Sequence, residues 1–540
     1  MLFRSSALHA IDDPERQSHD GYMLVVRADD GRDRIVVFYG WNKGSQYPPG
    51  ASPDLPELRR TDMQLDEGYW FRISDDEGRS WGQRRWLVPV RRTAIDRNNP
   101  WAGSTMGMFL CDKPQVIDGA VYMAFQKTVD GAGETPHSEA FILRGSGLVE
   151  AVRSRNDSAL DDIEWTTLPD GDRGLQSPIG PLQLGEEPHV LEVGTSPGRL
   201  LMLWRTDGGY LAGAYTSDGG HHFEPSAALP LRNPRGSITP FRLRQPTADG
   251  RFIHVMLTYN NARTDRLGYV GRRVYWLFAG TSHPDGTIVW GEPELALYWD
   301  GTGFEDRPDW NPDWAIVDGP GYPDFAELAD GTLCYVESNK LAVRFHRVPL
   351  RVLSALRHQH ELGGVPHDAV ALDWVGGPAP RGPVLVDLRS RGGFTITAAI
   401  DPNTPPGTTL VEAFSNVTAA LGEEPTDARV RKGWSLRTTD DGTLEWFVTD
   451  GFGCELRLTT SSPARVVSFV LDGAARVGSI VADGHFDHGG ERAQAWTFIP
   501  ADLGEVGGAD LTIDDRWLQR LVVADRAWLT TEAVAAARTL

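Results

Sequence analysis

Cysteine is scarce in this 540-residue chain. Cys111, Cys334 and Cys454 are far apart and form no CxxC pair. Neither a disulfide framework nor a thiolate metal site is expected. No window approaches the roughly 18 unbroken apolar residues of a spanning helix, so a membrane is not an expected partner. Residues 1–16 lack the basic start and apolar run of an export signal. The expectation is a cytoplasmic protein, or a secreted one if the native N-terminus is longer. Positive charge is in deficit, with 53 Lys and Arg against 74 Asp and Glu and a formal net charge of −21. Nucleic acid is disfavoured as a partner, because phosphate binding wants a basic face. The GxxxxGK[ST] and GxGxxG fingerprints are missing, so a nucleotide reading lacks support. His485-Phe486-Asp487-His488 has ligand-type side chains but no distant partners in view, and neither metal nor cofactor is expected. Long helical periodicity is also nearly absent. Only Glu532–Thr539 reads as helix.

What remains is β-rich. Glycine (59), proline (36) and tryptophan (18) point to many tight turns and aromatic-lined surfaces. Short strand-like runs recur at Tyr22–Val26, Arg34–Tyr39, Val121–Gln126, Leu200–Trp204, Phe252–Tyr259, Val274–Phe278 and Leu333–Glu337, bounded by Gly, Asp or Pro. A unit repeats: a strand, a turn such as Asp29-Asp30-Gly31, Asp118-Gly119, Asp249-Gly250 or Asp330-Gly331, and a second strand. Some units close on a further signature. The clearest is Ser74-Asp75-Asp76-Glu77-Gly78-Arg79-Ser80-Trp81, of form S-x-D-x-G-x-x-W. Thr216–Phe223 repeats it with Phe in place of Trp, and Ser282–Trp290 is a degenerate third copy. Its Asp accepts backbone N–H groups, its Gly permits positive φ, and its aromatic packs between sheets, so it reads as a folding staple. Roughly 55 residues per unit predicts a six-bladed β-propeller over residues 15–355. A connector, 356–382, precedes a second all-β region, 383–540, governed by alternation and read as a β-sandwich. The fold class is thus all-β.

The closing signatures resemble the Asp-boxes of the sialidase superfamily. More specific matches lie between them. Glu187-Pro188-His189-Val190, followed by Leu200–Arg205, is similar to the sialidase segment carrying a catalytic Glu and a substrate-binding Arg. Tyr322-Pro323-Asp324-Phe325, followed by Leu333–Glu337, resembles the stretch holding the nucleophilic Tyr and a supporting Glu. Arg272-Arg273 stands where the family places another Arg. Residues 383–540 resemble the concanavalin-like jelly-roll modules joined to such propellers. Two departures stand out. Where sialidases begin with an Arg in a short R-I-P segment, this chain reads Ser18-His19-Asp20-Gly21-Tyr22, and Pro323 replaces the usual Ser.

The resemblance implies hydrolysis of a glycosidic bond with retention, at a terminal sugar that is anionic or unusual. Tyr322 is the implied nucleophile. A phenol is a weak nucleophile at its ordinary pKa near 10, so Glu187 would take its proton. Arg205 and Arg273 would clamp an anionic group, with Glu337 in support. Asp62 or Asp66 would protonate the leaving oxygen, Asp62 being preferred. His19, Asp20, Lys113 and His189 are further candidates for substrate contact. Each has a plainer alternative: Glu187 as a structural partner of Arg205, Tyr322 as one of many propeller tyrosines, and Asp112 and Lys113 as a ladder-end ion pair. Two other functions fit the same residues. A polysaccharide lyase would use His19, His189, Tyr322 and Arg205 to remove the proton α to a uronate. A non-catalytic glycan-binding protein would use both domains as lectins. The expected partner in every case is a carbohydrate. The oligomeric state is left open.

Overall fold

In the computed structural model the described residues are 17–42, 64–65, 67–99, 102–129, 137–194, 196–233, 236–259, 263–264, 268–269, 274–298, 321–338, 343–387, 393–421, 424–449, 451, 455–473, 477–487, 497–498 and 505–540. The side chains of residues 17–20 are not among what is described. The chain divides into two compact units, residues 1–258 with 281–289, and residues 259–280 with 290–540.

Local chemistry sets the strands. In Gln17–Arg27, Met23 and Val25 are exposed while Leu24 and Val26 are buried, the period-two pattern of a strand with one covered face. The strand ends in a turn built by Asp and Gly. The N–H of Gly31 donates to Ala28 O at 2.9 Å, Ala28 N–H donates to Arg32 O at 2.8 Å, and Asp30 Oδ1 accepts the N–H of Arg32. Gly31 sits at φ 79°, which only glycine adopts without strain. The same bonds close Leu328–Thr332, with Gly331 at φ 82°. These are type I turns followed by a left-handed residue, a frequent hairpin connection.

In the first unit, one antiparallel sheet runs Gln17–Arg27, Asp33–Asn42, Gly68–Ser74, Trp86–Pro89. A second is built from Met106–Leu110, Ala120–Thr128, Ser138–Ser146 and Glu164–Leu168, with Gln64–Leu65 on its inner edge. A third runs Glu186–Glu192, Leu200–Arg205, Tyr210–Thr216, Ala227–Arg232. A fourth opens with Ile238–Arg242 paired to Ile253–Tyr259. The sheets pack face on face. One face of the second meets the first through Met108, Met123, Phe125 and Phe141 against Phe38, Tyr69 and Phe71. Its other face meets the third through Tyr122, Ala124 and Ile142 against Val190, Met202 and Trp204. Successive antiparallel meanders packed face on face in this way are propeller construction.

The second unit holds residues 274–280 of the strand Val274–Ser282, paired to Glu294–Tyr298, a meander of Gly321–Glu327, Leu333–Ser338 and Val343–Arg347, and a β-sandwich. Five such propeller-like sheets lie among the described residues. The sandwich faces a sheet containing Gly393–Ile400, Val466–Asp472 and Leu518–Ala524 against one containing Thr409–Leu421, Glu424–Thr438 and Leu444–Thr449. Trp434, Trp446, Phe394 and Phe469 fill the space between, fully buried or nearly so.

The expected connector is more than a linker. A helix, Leu350–His358, runs into it, with Leu353 and Leu356 buried. Val370–Trp374 then pairs with Leu518–Ala524 and so belongs to the sandwich. Glycine and proline near these segments read as loop in the sequence, and a nine-residue helix is too short for its period to stand out. The C-terminal helix is Thr530–Ala537, two residues earlier than expected. The Glu294 carboxylate accepts the N–H groups of Thr530 and Thr531 at 2.9 Å each, and Glu532 accepts that of Leu529 at 2.7 Å. Donors otherwise left over at a helix start are thereby satisfied.

Candidate active-site residues

The closing signatures take the role their chemistry implies. Asp76 Oδ1 accepts the N–H of Ser80 at 2.7 Å, and its Oδ2 accepts the Ser80 hydroxyl at 2.6 Å. Those bonds, with that from Ser74, hold its carboxyl down to about 2. Asp218 accepts the N–H of His222 and the hydroxyl of Thr216 in the same arrangement. These aspartates are spent on their turns.

The third meander starts differently. Glu186 pairs in register with Arg205, and His189 with Leu203. Two residues, Glu187 and Pro188, therefore face the single residue Trp204, which is a β-bulge. Pro188 has no N–H to place in the ladder. Glu187 takes φ 45°, a left-handed conformation that costs a non-glycine residue on the order of 1–3 kcal/mol. Its N–H is met from the neighbouring sheet by Gln126 Oε1 at 2.6 Å. The bulge breaks the strand alternation, so Glu186 and Glu187 both reach Arg205. Arg205 Nη2 donates to Glu186 Oε1 at 2.6 Å, and its Nη1 lies 3.5 Å from Glu187 Oε2. All three are buried: 2% exposure for Glu186, 5% for Glu187 and 9% for Arg205. Glu187 Oε2 accepts no hydrogen bond among the described residues.

Around this cluster lie other buried polar groups. His189 Nδ1 is 3.1 Å from Asp112 Oδ1, and Asp112 Oδ2 accepts the N–H groups of Ala124 and Val190. Asp112 thus ties the second sheet to the third, and His189 is a buried strut on it. Lys113, half-buried, follows Asp112 at the head of its segment. Lys127 is fully buried and donates to Arg91 O, Thr93 Oγ1 and Asp96. Burial draws its ammonium below the ordinary lysine value, and Asp96 opposes that. Burial pushes the neighbouring Glu139 carboxyl upward, although Gly174 N–H donates to it.

In the second unit the same device recurs. Gly321 pairs with Ser338 and Asp324 with Val336, so Tyr322 and Pro323 face Glu337 alone. Tyr322 has φ 49° and is 43% exposed. Glu337 is buried, held by Arg344 and, at 3.3 Å, by His346 Nε2. His346 stacks on Tyr335 with ring centres 4.7 Å apart. Burial raises the Tyr335 phenol above its ordinary value. Eight non-glycine residues among those described have positive φ; six sit in turns, and only Glu187 and Tyr322 sit in strands. The backbone of the first meander shifts register at the equivalent place, where Asp20 and Gly21 face Tyr39. His19 and Asp20 therefore lie at and beside this irregularity. Asp62, Asp66 and Arg273 lie outside the described residues.

Glu186, Gln126, Arg344 and His346 were not foreseen as members of these clusters. Strict alternation assigns Glu186 and Glu187 to opposite faces. The one available signal was the X-Pro pair shared by Glu187-Pro188 and Tyr322-Pro323, which marks an interrupted ladder.

No family model matches this chain, and no curated protein matches it. Solved structures do. Trypanosoma rangeli sialidase is similar at 13% identity, over 96% of this chain and 93% of that one, with a TM-score of 0.31. The Hadza microbial sialidase Hz136 is similar at 18% identity, over 62% and 53%, with a TM-score of 0.38. The NanB sialidase from Streptococcus pneumoniae gives 11%, 63% and 57%, and a TM-score of 0.36. Identities and scores this low carry no statement about what the chain does.

Proposed function

We propose that the chain is a glycoside hydrolase of sialidase-like design, cleaving a terminal sugar with retention of configuration. The observation that supports this is backbone strain. Among the described residues, the two strand residues held in the left-handed region are Glu187 and Tyr322, the pair that the resemblance to sialidases implies as base and nucleophile. Strain of this kind, held where surrounding structure over-determines it, collects at functional sites.

In this reading the Glu187 carboxylate accepts the Tyr322 phenolic proton as the oxygen attacks the anomeric carbon. The bond to the leaving oxygen breaks, and Asp62 or Asp66 supplies that oxygen with a proton. Water then attacks from the face the leaving group left, opposite Tyr322, and gives its proton to the same aspartate; the bond to the Tyr322 oxygen breaks and the phenol recovers its proton from Glu187. Sialidases are an acknowledged exception to the two-carboxylate rule of glycosidases. Arg205, with Arg273, would orient the sugar.

The test is a product-resolved screen of sialosides, uronate-containing oligosaccharides and neutral aryl glycosides by mass spectrometry. Products gaining one water are expected. Tyr322→Phe should lower turnover at least about a hundredfold while the fold is kept, since only one hydroxyl is removed. Near-normal turnover by that variant would remove Tyr322 from the mechanism. Cleavage without water, with new near-ultraviolet absorbance, would mark a lyase instead.

A further inference from the structure

Glu187 can face Arg205 beside Glu186 only while the bulge persists. Of the two bulged residues, Pro188 has no N–H, so Glu187 carries the single backbone donor that the ladder leaves over. That donor is buried, and what meets it is the side chain of Gln126 at 2.6 Å. Gln126 is itself 2% exposed and lies on a different sheet, in Ala120–Thr128 between Phe109 and Ala140. Its place is set by ladder bonds that do not involve the third meander. If the acceptor is lost, the strain at Glu187 is no longer offset, and regular pairing becomes competitive. A one-residue slip turns a side chain to the opposite face of its strand.

We propose that Gln126 is a positioning residue: its carboxamide oxygen locks the Glu187 bulge and so aims the Glu187 carboxylate. This rests on the reading of Glu187 as the base. A buried glutamine on a neighbouring sheet acts on the chemistry through the backbone of another residue, and supporting contacts of this kind hold a reacting group within fractions of an ångström.

The test uses Gln126→Met, which keeps length and volume but has no amide acceptor. Gln126→Asn, whose oxygen falls one methylene short, is the second variant should the first fold poorly. Two quantities are read in the full chain: hydrogen exchange of the Glu187 amide, and kcat and KM on whichever glycoside the wild type hydrolyses. Exchange at Glu187 should quicken about tenfold or more, and kcat should fall about tenfold to a hundredfold with KM changed less than about twofold. Unchanged exchange would overturn the lock. Faster exchange with wild-type kcat, or parallel losses in kcat and KM, would overturn the positioning role. No turnover by the wild type on any sugar would overturn the glycosidase reading and this role with it, while amide exchange would still report separately on the lock.

Discussion

Arg205 faces two buried carboxylates, and this determines what its removal does. In Arg205→Ala, the buried Glu186 and Glu187 would lose the guanidinium that they share. Breaking one partner out of a buried ion cluster costs about 3–5 kcal/mol, chiefly through the charge left behind. We therefore expect Arg205→Ala to lower unfolding stability by that amount in urea, and Arg205→Lys to recover part of it. A loss below about 1 kcal/mol would show that the cluster is well hydrated. The Glu–Arg pairing was legible as a structural alternative. What the sequence hid is that Glu186 takes the short bond and Glu187 the long one. Residue types and spacing do not report a register shift, because a bulge depends on what the next strand and sheet offer. Proline after the bulged residue was the one trace of it.

The opening strand of the third meander depends on a close approach. A Cβ added to Gly185 would come within 2.4 Å of Ala140 N and 2.5 Å of Leu175 O, both backbone atoms that cannot swing aside. Gly185 N–H also donates to Ser138 O. Gly185→Ala should displace the start of Glu186–Glu192, with a loss of about 1–3 kcal/mol and of Glu187-dependent turnover. Gly119→Ala, whose Cβ would meet nothing within 4 Å but whose φ is 77°, is the control for turn strain alone. Equal losses in both would show that crowding at Gly185 is immaterial. At this scale the sequence was most readable. Hairpins written as Asp-Gly between β-rich runs form because one Asp oxygen and one left-handed Gly suffice to close them. The helix Leu350–His358 was missed for the opposite reason: its stability comes from burying Leu353 and Leu356, not from a local signal.

Across the whole molecule, each compact unit holds a buried ionisable group, and the two respond to pH in opposite senses. In the first unit, burial presses the His254 imidazole down to about 4, although its Nε2 donates to Glu192 O. Between pH 6.5 and about 4 the unfolded chain binds a proton that the native histidine refuses, so stability falls as pH falls through that window. In the second unit, burial pushes the Glu294 carboxyl up to about 7, against the opposing bonds from Thr531 and Thr530. Between about 4.5 and 7 the unfolded chain has released a proton that native Glu294 keeps, so stability falls as pH rises, by on the order of 3 kcal/mol. Thermal midpoints across pH 4–8 should therefore show wild type losing ground to Glu294→Gln towards pH 7, and to His254→Phe towards pH 4. Parallel curves would place both groups in contact with water. The all-β class and the propeller-then-sandwich order were visible from turn spacing and alternation.

Glu294 and the helix it caps are separated by 236 positions in the chain. On a ribosome adding roughly 5–20 residues each second, that interval lasts roughly 10–50 seconds. Throughout it the carboxylate must wait, hydrated and charged, for donors that have not been made. Completion of the second unit is therefore gated by translation itself. Until Thr530 and Thr531 emerge, Glu294 has no helix start to cap.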